Sequence, residues 1–226
     1  MGAELVFFSP LQDKKLPEEV DGMILSGGYP ELHAKTLSEN HSMREAIRKA
    51  IEDGMPCIAE CGGFLYLHRE LEGQDGVFYP MAGVLDAKTY RTDRLGRFGY
   101  ITLTAEEDQL LGKAGMEIRG HEFHYWDSEQ CGKSFHAKKP VGKREWDCVN
   151  SSKSLYAGFP HLFFWSNPEA AYEFLKKCEE YHNECLRKRL SHRTQRGSDR
   201  GCLAFDAERS RLFRKWRHDR KGRIRR

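Results

Sequence analysis

The residues predict an α/β fold: a mostly parallel sheet flanked by helices. Three features carry that expectation. Short apolar runs alternate with a helical period, the connections are short and glycine-rich, and one buried run ends at a sharp Cys-Gly-Gly turn. Strand, helix and strand in that order favour parallel pairing with both faces of the sheet covered.

In chain order, Leu5-Val6-Phe7-Phe8 and Gly22-Met23-Ile24-Leu25 read as short buried strands. The second runs into Ser26-Gly27-Gly28-Tyr29-Pro30, a turn by composition. A helix follows over about 40–53, where Met43, Ala46, Ile47, Ala50 and Ile51 recur at spacings of three and four. Gly54 ends it and Pro56 prevents a restart. Cys57-Ile58-Ala59 reads as a third buried strand, and Phe64 to about Leu71 as a second helix. Residues 75–150 are rich in glycine and aromatics. There Ile101-Thr102-Leu103-Thr104 and Glu122-Phe123-His124-Tyr125 alternate like strands, so antiparallel or mixed pairing is expected. The aromatic stretch 155–165 is expected to be buried. Ser166-Asn167-Pro168-Glu169 then opens a last helix, with a capping Ser, an early Pro and an early Glu, running to about Leu190.

Charge is unevenly distributed. The 226 residues hold 37 Lys/Arg and 34 Asp/Glu. Residues 187–226 hold 16 of the basic groups and 4 of the acidic ones, so residues 1–186 hold 21 and 30. An acidic body, 1–186, therefore precedes a basic tail, 187–226, which is expected to be disordered apart from a short helix near 205–216. The plain reading of the tail is a solvated extension. Its arginines are the one feature pointing toward nucleic acid. No apolar run approaches the ~18–20 residues of a membrane span, and Met1-Gly2-Ala3-Glu4 does not open a secretory leader. A cytoplasmic location is expected. The seven cysteines are odd in number and lack framework spacing, so they read as thiols.

One thiol is placed for chemistry. In Pro56-Cys57-Ile58-Ala59-Glu60-Cys61-Gly62-Gly63-Phe64-Leu65 a buried strand ends, Cys61 follows, and two glycines lead into a helix. That is the layout of a nucleophile elbow, where small neighbours let the backbone turn sharply. Free N–H groups and the positive end of the helix favour a thiolate there. They also suit an oxyanion, and Gly62 is placed to donate one bond. The plainer alternative is that Cys61 is a small core residue, as Cys57 is read to be. A nucleophile needs a base, and His161, in an aromatic run, is a candidate. Gly120-His121-Glu122-Phe123-His124-Tyr125 concentrates further polar groups. As a strand it sends His121 and Phe123 to one face and Glu122 and His124 to the other, which argues against a metal site.

Four motifs stand in order: Leu25-Ser26-Gly27-Gly28-Tyr29-Pro30-Glu31-Leu32, Ala59-Glu60-Cys61-Gly62-Gly63-Phe64-Leu65-Tyr66-Leu67, Gly120-His121-Glu122-Phe123-His124-Tyr125, and His161-Leu162-Phe163-Phe164 followed by Ser166-Asn167-Pro168. Together they resemble the C-terminal glutaminase domain of cobyrinic acid a,c-diamide synthase, a class I (triad-type) glutamine amidotransferase. The resemblance covers about residues 3–180. It implies a class I amidotransferase-like fold and glutamine as substrate. It also implies Cys61 as nucleophile, His161 as base, and an oxyanion hole from backbone N–H groups near Gly28 and from Gly62. The ammonia released amidates a carboxylate, a cobyrinate-type corrin in this family, activated by an ATP-dependent synthetase domain or subunit.

Two departures matter. Triad-type glutaminases often carry a carboxylate, or this family a second His, two residues after the catalytic His; here that position is Phe163. No Gly-x-x-x-x-Gly-Lys-Ser/Thr phosphate loop is found in the chain. ATP and Mg are therefore expected only for a synthetase half that this chain lacks, and no cofactor for the chain itself. Two readings stay open: an active glutaminase subunit, and a degenerate glutaminase fold kept as a binding or regulatory module.

Overall fold

The computed structural model describes residues 2–196, with side chains through Ser191. The chain divides into two units, Met1–Cys185 and Leu186–Arg226, and the sheets described here lie in the first. In chain order the elements are β1 (Met23–Leu25), α1 (Ala34–Glu39), α2 (His41–Glu52), β2 (Cys57–Glu60), α3 (Gly62–Tyr66) and β3 (His68–Glu72). Next come β4 (Phe78–Pro80), β5 (Leu85–Arg91), β6 (Phe98–Ala105), β7 (Glu117–Phe123), β8 (Trp126–Ser128) and β9 (Phe135–Lys138). The chain continues with β10 (Glu145–Cys148), β11 (Asn150–Ser151), β12 (Leu155–Gly158), β13 (His161–Leu162) and α4 (Pro168–Arg196).

The strands form three sheets. In the first, of order β1-β2-β12-β11, β2 pairs in parallel with β1 on one side and β12 on the other. The second, β10-β9-β6-β7-β13, is antiparallel throughout. The third, β4-β3-β5-β8, mixes both kinds. The α/β class and the flanking helices are as expected. The pairing is mixed rather than mostly parallel, because the glycine- and aromatic-rich middle of the chain forms hairpins instead of crossovers.

Alternation along β2 explains how its sheet is covered on both faces. Cys57 and Ala59 pack in one apolar cluster with Met43, Ile47 and Ile51 of α2 and Phe64 of α3. Ile58, pointing the other way, packs in a second cluster with Leu103, Phe135, Tyr156 and, from α4, Ala170 and Phe174. Met43 and Ile47 are fully buried, and each such side chain contributes roughly 1.5–3 kcal/mol through burial. The helix read over 40–53 is present as α2, and Gly54, at φ +90°, ends it. Asn40, just before α2, is buried and ties the preceding loop down, donating to the carbonyls of Pro10 (2.7 Å) and Asp13 (2.8 Å).

Several expectations are corrected. Residues 5–8 form no strand: Leu5, Val6 and Phe7 are 73%, 57% and 90% exposed. An apolar run becomes a strand only when a neighbour supplies ladder bonds, and among the described residues β1 pairs with β2 alone. The helix read over 64–71 stops at Tyr66, since β4 and β5 bracket the following residues and draw them into β3. The stretch 155–165 is buried only in its first half. Tyr156 and Phe159 are in the core, whereas Phe163 and Trp165 are exposed, because the chain passes to an edge strand, β13, and then to the surface. The last helix runs to Arg196, beyond Leu190 and through the first ten residues of the basic tail. The expectation of disorder for the rest of that tail, and of a short helix near 205–216, lies outside the described residues. Among the described residues no helix is long and apolar enough to cross a membrane.

Candidate functional site

Three parallel strands deliver the site. The turn after β1 brings Gly27 and Gly28, the turn after β2 brings Cys61, and the segment after β12 brings His161. Sites in α/β sheets gather beyond the carboxyl ends of parallel strands for this reason. Cys61 sits between β2 and α3 at φ 47°, ψ −101°. A non-glycine residue there costs of order 1–3 kcal/mol and persists only where its surroundings hold it. Here the Cys61 N–H donates to the Gly158 carbonyl (2.8 Å), and its own carbonyl accepts from Leu65 (2.9 Å). The thiol is buried, and its Sγ donates to the carbonyl of Phe123 at 3.9 Å.

The glycines around Cys61 are required by close approach. A Cβ on Gly62 would lie 2.7 Å from both the nitrogen and the oxygen of Gly28, so the two backbones touch. A Cβ on Gly63 would run into the Leu25 carbonyl of β1, and one on Gly27 into the ring of His161. Among the described residues neither Gly28 nor Gly62 spends its N–H on a hydrogen bond. Two free donors therefore stand beside the thiol.

His161 opens β13, opposite His121 of β7 in the antiparallel register. Its side chain is 39% exposed, and its Nδ1 lies 3.6 Å from Oε2 of Glu60. That separation is an ion-pair contact slightly longer than a hydrogen bond. The other oxygen of Glu60 accepts the backbone N–H of Leu162 at 2.9 Å. Interaction with the Cys61 side chain, and secondarily with Glu60, pushes the His161 pKa up to about 10. Phe163 takes no part. The residue is 54% exposed and its N–H donates to the Arg119 carbonyl (2.8 Å). The sequence reading thus placed Cys61, His161, Gly28 and Gly62 in one region, and the structure brings all four together. It missed Glu60. The available signal was an acidic residue closing an otherwise apolar, buried strand.

The Gly120–Tyr125 motif contributes differently. Glu122 and His124 are buried beside Arg97, with the Glu122 carboxylate 3.5 Å from the His124 ring and 3.8 Å from the guanidinium. Arg97 also pairs with Asp127 at 2.6 Å. The His124 ring stacks on Phe159 at 3.7 Å, and the contact of this motif with the thiol is the Phe123 carbonyl. Continuing from Gly28, a depression is lined by Tyr29, Glu31, Arg91, Thr92, Asp93 and Tyr125. Burial raises the pKa of the Glu31 carboxyl. The hollow thus offers side chains of both charge signs, and Tyr29 at its edge follows Gly28 directly in the chain.

Residues 1–169 match the family of CobB/CobQ-like glutamine amidotransferase domains. The chain belongs to this family. It is 40% identical over 183 residues to the cobyrinate a,c-diamide synthase of Caldanaerobacter subterraneus subsp. tengcongensis, covering 80% of this chain and 40% of that protein. The cobyrinate a,c-diamide synthase of Thermoplasma volcanium gives the same identity and coverage. A crystal structure of a glutamine amidotransferase superposes with a TM-score of 0.49 at 21% identity, covering 72% of this chain and 81% of that one. The resemblance carried by the four motifs is therefore borne out at the level of the amidotransferase family. This glutamine amidotransferase domain spans about 40% of the length of the curated relatives it matches.

Proposed function

We propose that this domain hydrolyses glutamine to glutamate and ammonia through a thioester on Cys61. The supporting observation is the convergence of a buried thiol on strained backbone, an imidazole in reach of it, and two unengaged backbone N–H groups. His161 takes the Cys61 thiol proton, the sulfur attacks the side-chain amide carbon of glutamine, and the carbonyl π electrons move onto oxygen. The Gly28 and Gly62 N–H groups stabilise that oxyanion. As the C–N bond breaks, His161 delivers a proton to the leaving nitrogen, and ammonia departs. Water then attacks the thioester, His161 takes its proton, and glutamate leaves with the thiol restored. The hollow beyond Tyr29 suits the zwitterionic end of the substrate, with Glu31 facing its ammonium and Arg91 its carboxylate.

The ammonia serves an ATP-dependent synthetase domain or subunit, which amidates an activated carboxylate of a cobyrinate-type tetrapyrrole. The names of the relatives support this acceptor. The test is glutamate release from glutamine by wild type and by Cys61→Ala, each alone and with a cobyrinate a,c-diamide synthase supplying the ATP half in trans. Release by wild type and none by Cys61→Ala is expected. Equal release by both would move the nucleophile elsewhere, and no release by wild type under either condition would leave a non-catalytic module.

A further inference from the structure

We infer that Glu60 is the positioning carboxylate of His161, standing in for the group that Phe163 cannot supply. This rests on the glutaminase reading above. Three observations carry it. Oε2 of Glu60 lies 3.6 Å from Nδ1 of His161, and the Glu60 side chain is only 14% exposed, which holds the carboxylate in place beside a half-buried ring. Oε1 accepts the N–H of Leu162 at 2.9 Å, so the same carboxylate grips the ring and the backbone of the segment carrying it. Phe163 turns outward to solvent and leaves the Nδ1 side of the ring to Glu60.

The chemistry follows from the arrangement. With Nδ1–H directed at a carboxylate, Nε2 is the nitrogen left to exchange a proton with sulfur and with the leaving amine. The carboxylate also stabilises the imidazolium formed when the proton moves. Glu60 adjoins Cys61 in sequence, so one strand end fixes the nucleophile and, through this contact, the orientation of the base. Besides Glu60, the ring faces Cys61 from the same turn and His121, its register partner on β7, while Gly27 presents only backbone.

Glu60→Gln separates the two functions of the side chain. A Gln oxygen still accepts from Leu162, but the charge beside Nδ1 is gone. The measurement is ¹⁵N NMR of ring-labelled histidines in wild type and Glu60→Gln, with the His161 signals assigned by their loss in His161→Gln, beside glutamine turnover. The His161 midpoint is expected to fall by about one pH unit or more, and kcat by about a hundredfold, with KM within about threefold. Glu60→Asp, which keeps a withdrawn charge, recovers part of kcat. An unchanged His161 midpoint with kcat within about threefold of wild type overturns the assignment. A midpoint that moves while wild type fails to turn over glutamine would overturn the glutaminase reading and leave the Glu60 contact standing.

Discussion

Gly62→Ala tests the proposed oxyanion hole most directly, because its effect can be worked out from distances. The added Cβ would sit 2.7 Å from the nitrogen and oxygen of Gly28, whereas ordinary contact begins near 3.4 Å, so the two backbones must part by about 0.7 Å. Both neighbours are main chain and neither can rotate away. Oxyanion donors act over 2.7–3.1 Å, and losing one costs about 10²–10³ in kcat. A parting of that size takes one donor out of range, so kcat should fall about a hundredfold while KM changes little. Overpacking costs typically 1–3 kcal/mol, or roughly 3–10 °C of melting temperature for a domain of this size. Gly28→Ala is the control. Its Cβ would meet nothing within 4 Å of the protein, so the melt should not move. Steady-state glutamine hydrolysis and a thermal melt on the three proteins suffice. Equal kcat in wild type and Gly62→Ala, with the fold intact, would refute the placement of the hole.

Other outcomes follow from the same geometry. His161→Ala should lower glutamine hydrolysis by at least about a hundredfold if the imidazole is the general acid and base; a loss of tenfold or less would send the search to another residue. Gly63→Ala should cost about 3 kcal/mol in urea unfolding, since its Cβ would meet the carbonyl and Cβ of Leu25 inside the core, and a loss below about 1 kcal/mol would mean that α3 can lift from β1 freely. His68 is buried, bonded to the Phe64 carbonyl (2.8 Å) and the Ser128 hydroxyl (2.7 Å), and burial pushes its pKa down to about 4. Its folded value lies below the unfolded 6.5. The stability it contributes is therefore present above pH 6.5 and is lost as pH falls toward 4, by roughly 3 kcal/mol in all. Unfolding of His68→Gln between pH 7 and 4 should be flatter than that of wild type, and parallel curves would contradict this.

What could be seen in the sequence was local. The period of three and four in α2, the terminating Gly54, the strand Cys57-Ile58-Ala59 and the Cys61-Gly62-Gly63 turn are each specified by neighbouring residues. The alternation of Glu122 and His124 against His121 and Phe123 was also legible, because a strand has period two wherever it pairs. What could not be seen depends on partners far along the chain. Leu5, Val6 and Phe7 have strand composition but no strand beside them. Residues 68–72 are compatible with a helix and become β3 because β4 and β5 offer backbone bonds on both sides. Glu60 escaped notice because its role exists only once β12 and β13 carry His161 back across a hundred residues to the end of β2.

The register of the first sheet constrains how this domain can vary. Leu25, Ala59 and Ala157 lie side by side across β1, β2 and β12, so the glycine loop, the thiol and the histidine segment all leave the sheet from one row. A residue inserted or deleted in any of these strands would invert its inward and outward side chains and carry its loop out of line with the other two. The hairpins of the antiparallel sheet have no such common row to keep. Changes of chain length should therefore be tolerated in the connections between β6 and β10, and rejected in the few residues just ahead of Gly27, Cys61 and His161.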